Sequence, residues 1–146
     1  MCSLDENTIV ACGRDPDTLR VFRRDLYSWS QAASFTLTDR AVAVSKIDDG
    51  TFVAALSRSE FSTELAVFGF SGSAVSQLYS TGSDLPSFGS CGIAMIEENT
   101  FVVASQYSPG ISGEAANLHV FFYDGSEIQF RGGSLASSGF GLSDFR

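Results

Sequence analysis

Three acidic pairs, Asp5-Glu6, Asp48-Asp49 and Glu97-Glu98, are the residues whose type suits a cation or a cationic ligand. Each stands just before a threonine and a β-branched or aromatic run, so the pairs occupy one turn of a repeating unit and form a ring of charge on one rim. Carboxylates in hairpin turns also keep strand edges apart while staying solvated, and the pairs read chiefly as that. His119 is the only histidine. Activating a nucleophile needs a base in hydrogen-bond reach and a third group to orient it, and no Ser, Asp or Cys recurs beside this one. It reads as a strand residue between Leu118 and Val120, no catalytic residue is assigned, and the chain is not expected to be an enzyme.

The candidate contacts for a ligand are Trp29, Tyr107, Glu114 and Asn117. Trp29 shares an outer hairpin with Tyr27 and could stack on a sugar ring, but it stands where Val75 occupies the second repeat, which suits packing as well. Tyr107, Glu114 and Asn117 fall in the connection 106–117, a polar loop that serves for binding or simply as a surface link. Arg14, Arg20, Arg23 and Arg24 place four of the nine positive charges within eleven positions. Asp15, Asp17 and Asp25 interleave with them, so the run is either a salt-bridged blade surface or a site for an anion or acidic partner. Cys2, Cys12 and Cys91 are an odd number without C-x-x-C spacing, which suggests neither a disulfide framework nor a zinc site. Free thiols are expected, with a Cys12–Cys91 pair as the alternative. No metal site and no cofactor is assigned.

These residues must be positioned by a repeat. Leu4-Asp5-Glu6-Asn7-Thr8-Ile9-Val10-Ala11 recurs at positions 47–54 and again at 96–103, with Thr8, Thr51 and Thr100 standing 43 and 49 residues apart. A second marker follows each: Leu19-Arg20-Val21-Phe22, Leu65-Ala66-Val67-Phe68 and Leu118-His119-Val120-Phe121. A glutamine, Gln31, Gln77 or Gln129, comes eight or nine residues after each phenylalanine and is expected to satisfy backbone groups at equivalent places. Asn7 or Asp49-Gly50 offers the positive φ of a tight hairpin at the first marker, and Ser71-Gly72 and Asp124-Gly125 supply turn chemistry after the second. Thr100-Phe101-Val102-Val103-Ala104 is apolar at consecutive positions, which predicts cover on both faces of that strand.

No sustained 3.6-residue apolar stripe with caps is present, so helix should be nearly absent. With one further short strand ahead of each first marker, four strands fall in every unit, the pattern of a β-propeller blade. The reading is therefore an all-β, propeller-like array of three four-stranded antiparallel blades, a half-propeller. It forms a single domain over 1–146 with repeats near 1–38, 39–87 and 88–138, and residues 139–146 open a further blade. At 146 residues and 15.6 kDa this is one domain. Hydrophobic residues at 44% supply a core, and charged residues at 18% are too few for an acidic disordered chain. A net charge of −8 disfavours nucleic acid or an anionic membrane as partner. The acidic start of the chain does not suit a signal peptide, and no run approaches the ~18 apolar residues of a membrane span. The compartment is left unknown.

With Phe88-Gly89, Phe140-Gly141 and the small-residue ending Val102-Val103-Ala104-Ser105, the unit resembles the FG-GAP repeat of integrin-alpha-type propellers. The second repeat holds Asp39-Arg40 in place of Phe-Gly, and the Gly-Ala-Pro ending is degenerate in every copy. The family's Asp-rich calcium loop between the first two strands is replaced by a tight turn, too short to wrap a cation that needs six to eight oxygens. The resemblance implies a propeller fold and a role in recognition, without calcium.

The expected function is a non-enzymatic recognition or scaffold module that binds a protein through its rim loops. A lectin-like carbohydrate binder is the alternative, which would call for equivalent aromatics in each repeat. The first blade lacks the Phe-Gly half of its opening strand, and 139–146 resembles that half. Three blades do not readily close a ring, so two chains are expected to join head to tail as a six-bladed homodimer, unless the sequence is part of a longer propeller.

Overall fold

The structure, a computed structural model, describes residues 1–13, 17–59, 62–82, 85–86, 90–107 and 115–136. It is all-β, with no α-helix among these residues. The first sheet runs β1 (Cys2–Asp5), β2 (Thr8–Gly13), β3 (Thr18–Arg24) and β4 (Trp29–Thr36) in sequence order, every pair antiparallel. The second is β5 (Arg40–Asp48), β6 (Thr51–Ser59), β7 (Ser62–Phe70) and β8 (Val75–Ser80), with the two-residue β9 (Leu85–Pro86) paired to β7. The third is β10 (Ser90–Glu97), β11 (Thr100–Tyr107), β12 (Ala115–Tyr123) and β13 (Ile128–Ala136).

Register repeats with the sheets. Each hairpin between the first two strands shifts register one residue before its turn, at Ser3/Asp5, Lys46/Asp48 and Met95/Glu97. Each pairing of the third and fourth strands carries a bulge at Val21/Phe22, Val67/Phe68 and Val120/Phe121. A bulge adds local twist, and at the same place in all three sheets it gives them a common shape for stacking.

Alternation along the strands gives every sheet two faces. The forward face of the first sheet, with Leu4, Val10, Leu19 and Val21, meets the backward face of the second, with Phe52, Ala54, Phe68 and Val75, in one buried cluster. The forward face of the second, Ile47, Val53, Leu65 and Val67, meets the backward face of the third, Phe101, Val103, Phe121 and Ile128, in another. Phe52 stacks on Phe68 with centroids 5.5 Å apart, and Phe101 on Phe121 at 5.7 Å. Phe35 of the first sheet reaches Phe68 of the second edge-on at 5.3 Å. Blades thus stack like pages turned the same way, each presenting the same face to the next.

Three expectations are corrected here. The strands covered on both faces are β6, where Phe52 to Leu56 are all buried, and β7, where Thr63 to Phe68 are; in β11, Phe101 and Val103 are buried but Val102 and Ala104 only half-buried, because their face belongs to the forward side of the third sheet. Asn7 and Gly50 do not take positive φ; among the described non-glycine residues Asn99 does, at 58°. The carboxylates of Asp5 and Asp48 accept hydrogen bonds from the Asn7 and Gly50 amides at 2.7 and 3.0 Å and hold those turns. Glu97, one methylene longer, stands in the third turn, where Asn99 is left-handed. The glutamine marker is out of step: Phe22 pairs Gln31 and Phe68 pairs Gln77, but Phe121 pairs Phe130. Gln129 sits one place earlier and bonds the side chains of Asp124 and Glu127, not backbone groups.

Candidate functional site

The turn between β3 and β4 is the place where one blade departs from the others in chemistry. All three equivalent turns close by the same backbone bond, Asp25 to Ser28, Ser71 to Ala74 and Asp124 to Glu127, at 3.0, 3.0 and 3.2 Å. In the second and third blades the middle of the turn is Gly72-Ser73 and Gly125-Ser126, with the glycines left-handed at φ 95° and 96°. In the first it is Leu26-Tyr27, which are 90% and 95% exposed. The Asp25 carboxylate accepts from the amides of Tyr27 and Ser28 at 2.9 and 2.8 Å, and these bonds hold it below the usual carboxylate range. Asp124 caps Ser126 and Glu127 in the same way, with the same lowering. The turn is therefore fixed by Asp25 and the backbone, while the two apolar side chains are left to solvent.

Beside this tip lies a shallow cleft of about 660 Å³, lined by Asn7 and residues 24–29. Arg24 donates to the Asn7 side-chain oxygen at 3.2 Å and its guanidinium lies 5.8 Å from the centre of the Trp29 ring. The expected pairing of the arginine run with aspartates is not what Arg24 does: Asp25 is taken up by its turn, and among the described residues the ion pair present is Lys46–Asp49, at 2.6 Å. Arg14 and Asp15 lie outside the described residues.

Trp29 begins β4 and pairs Arg24, as Val75 pairs Phe70 and Ile128 pairs Tyr123. Tyr107 and Asn117 are not loop residues: Tyr107 pairs Ala115 and Asn117 pairs Ser105, which extends β11 and β12 beyond the expected strand ends. Glu114 and the rest of 108–114 lie outside the described residues. Strand direction separates the candidates, because the β3–β4 turn shares a rim with the acidic hairpin turns, whereas Tyr107 stands at the opposite end of β11 from Thr100.

The acidic pairs divide their work. Asp5 and Asp48 cap turns, and the Thr100 hydroxyl lies 3.4 Å from the Glu97 carboxylate. Among the described residues no three His, Cys, Asp or Glu gather as a metal site. Lys46, which the sequence reading passed over, bonds both Asp49 and the Leu4 carbonyl and so ties the second blade to the first. Glu64, also passed over, is buried and accepts a hydrogen bond from the Ser80 hydroxyl. His119 is half-buried on β12, with its ring 6.0 Å from Phe130 and 6.4 Å from Phe121, and burial lowers its pKa. Cys2 and Cys12 are free thiols, half-buried against the second blade; burial pushes Cys2 up to about 11 and raises Cys12. Thiols held protonated are poor nucleophiles. The Cys91 side chain lies outside the described residues. Among the described residues, no helix is long and apolar enough to cross a membrane.

No family model matches the chain, and no curated protein matches it. Among solved structures, an S. cerevisiae assembly of Dbp5 bound to Nup159, Gle1, IP6 and ADP holds a chain of similar fold, with a TM-score of 0.52 at 10% identity. The likeness covers 86% of this chain and 34% of that one, and at this identity it concerns the fold alone.

Proposed function

We propose that this chain is a non-enzymatic recognition module, a half-propeller working as a head-to-tail homodimer, which binds a protein partner through the rim that carries the β3–β4 turn. The observation behind this reading is the Leu26-Tyr27 pair. Two sister turns reach the same closure with Gly-Ser, so leucine and tyrosine serve nothing in the fold, and placing them in water forgoes the burial their apolar surface would otherwise gain. An exposed tyrosine with a leucine beside it suits the centre of a binding hot spot, mounted on a turn that its own hydrogen bonds hold in shape. The resemblance to FG-GAP repeats supports a recognition role.

The test compares wild type with the double variant Leu26→Gly, Tyr27→Ser, which copies the sister turns. Peptides selected on wild type from a displayed library should bind the double variant at least tenfold more weakly, while its melting temperature stays within ~2 °C of wild type. Peptides that bind both forms equally would overturn the reading. Binding on a glycan array, lost in the same variant, would instead favour the carbohydrate alternative.

A further inference from the structure

We infer that the backward face of the first blade and the forward face of the third are the two halves of one interface, and that its occupant is a second copy of this chain. Trp29 then belongs to that interface and is not a ligand platform. The inference rests on the head-to-tail pairing proposed for the scaffold and specifies which surfaces make it.

The two junctions inside the chain define what each face is built to meet. In both, forward positions equivalent to Ile96, Val102 and Val120 are buried under the next blade: Leu4, Val10 and Val21 in one, Ile47, Val53 and Val67 in the other. Backward positions equivalent to Ile9, Phe22 and Trp29 are buried under the preceding blade as Phe52, Phe68 and Val75, and as Phe101, Phe121 and Ile128. On the two outer faces the same positions keep their apolar character without that cover. Ile96 is 59% exposed and Trp29 46%, while Val102, Val120, Ile9 and Phe22 are half-buried and belong to neither core cluster.

The free forward face is thus the type of surface that twice packs on a backward face, and the free backward face is its counterpart. Charge agrees with the pairing. Arg20 and Arg24 are exposed on the strand that carries Phe22, and residues 88–138 hold one arginine against five Asp and Glu. An interface of two unlike patches closes when two copies satisfy both patches at once, and otherwise propagates. Three blades from each copy give the six of a closed ring.

Trp29 is the single tryptophan, so its fluorescence reports this face alone. In sedimentation at micromolar concentration the wild type should show twice 15.6 kDa. Its emission should shift to the red on dilution as the ring becomes exposed. Ile96→Asp, two sheets away from Trp29 in the same chain, should raise the dissociation constant at least a hundredfold and red-shift Trp29 at concentrations where the wild type is paired. Ile96 lines a cavity with Cys2 and Ser3 of its own chain's first sheet, so the shift is read against both proteins diluted to monomer, where they should emit alike if the effect passes through another copy. A dimer whose Trp29 emission ignores Ile96→Asp would overturn the inference and leave the homodimer standing on some other face. A particle that grows without limit would overturn the closed pair, and a monomer at every concentration would overturn both.

Discussion

Replacing Phe68 with alanine is expected to cost about 3–5 kcal/mol, the range for deleting a fully buried aromatic ring. Phe68 has no exposure and stands at the junction of two blades, stacked on Phe52 within its own sheet and met edge-on by Phe35 from the sheet before. Its same-face neighbours along β7 are Ala66 and Phe70, and the alanine, also buried, has no side chain to fill the space the ring would leave. For a domain of this size the loss is between about a fifth and about seven tenths of a total stability of roughly 7–15 kcal/mol. Urea denaturation should show a midpoint lowered by that amount at unchanged slope, and a loss below ~1 kcal/mol would contradict the packing described.

A still larger contrast is expected between Val53→Asp and Val102→Asp. The two valines are equivalent in their repeats, each paired with the valine of the following strand, Val67 or Val120. Val53 lies fully buried between two sheets, in a cluster that offers an aspartate no cation. An unpaired buried carboxylate costs several kcal/mol, enough to leave the chain unfolded at neutral pH. Val102 lies on the outer forward face and is only half-buried within the chain, so in the unpaired chain its aspartate keeps water and the chain should fold, at a cost of about 1–2 kcal/mol. Circular dichroism and thermal melting separate the two outcomes. Equal damage at both sites would mean that the outer face is packed within the chain as tightly as the inner one.

Much of the architecture was legible because a repeat makes its own comparison. Leu-Asp-Glu-type turns, Val-Phe strands and their spacing recur three times, and each recurrence is a four-stranded sheet. What escaped was set by context outside the window of a repeat. Val53 and Val102 are the same residue in the same pattern, and only the presence of a following sheet decides which is buried. Gln129 is out of step because it follows its phenylalanine by eight residues where Gln31 and Gln77 follow by nine, and since the bulge is the same in all three sheets the shorter spacing leaves Phe130 opposite Phe121. Tyr107 and Asn117 look like loop in sequence because polar neighbours break the apolar pattern there, although the backbone pairs them in β11 and β12.

The candidate site was legible in part. Trp29 was noticed for its ring, and its equivalence to Val75 already hinted at packing. Leu26 could have been found by asking which turn lacks the glycine that Gly72 and Gly125 supply, but an apolar pair inside an arginine-rich stretch does not stand out by composition. Lys46 gave no sign in sequence, since its partners, the Leu4 carbonyl and Asp49, are brought together only when the first blade lies against the second.

Blades stacked forward face to backward face meet at the Phe35–Phe68 contact between sheets, which tests the stacking directly. A double-mutant cycle with Phe35→Leu and Phe68→Leu, read by urea denaturation, should give a favourable coupling of about 0.5–1.5 kcal/mol, as edge-on rings do. Additivity to within ~0.3 kcal/mol would mean that the two rings do not meet, and the stacked array would fall with them.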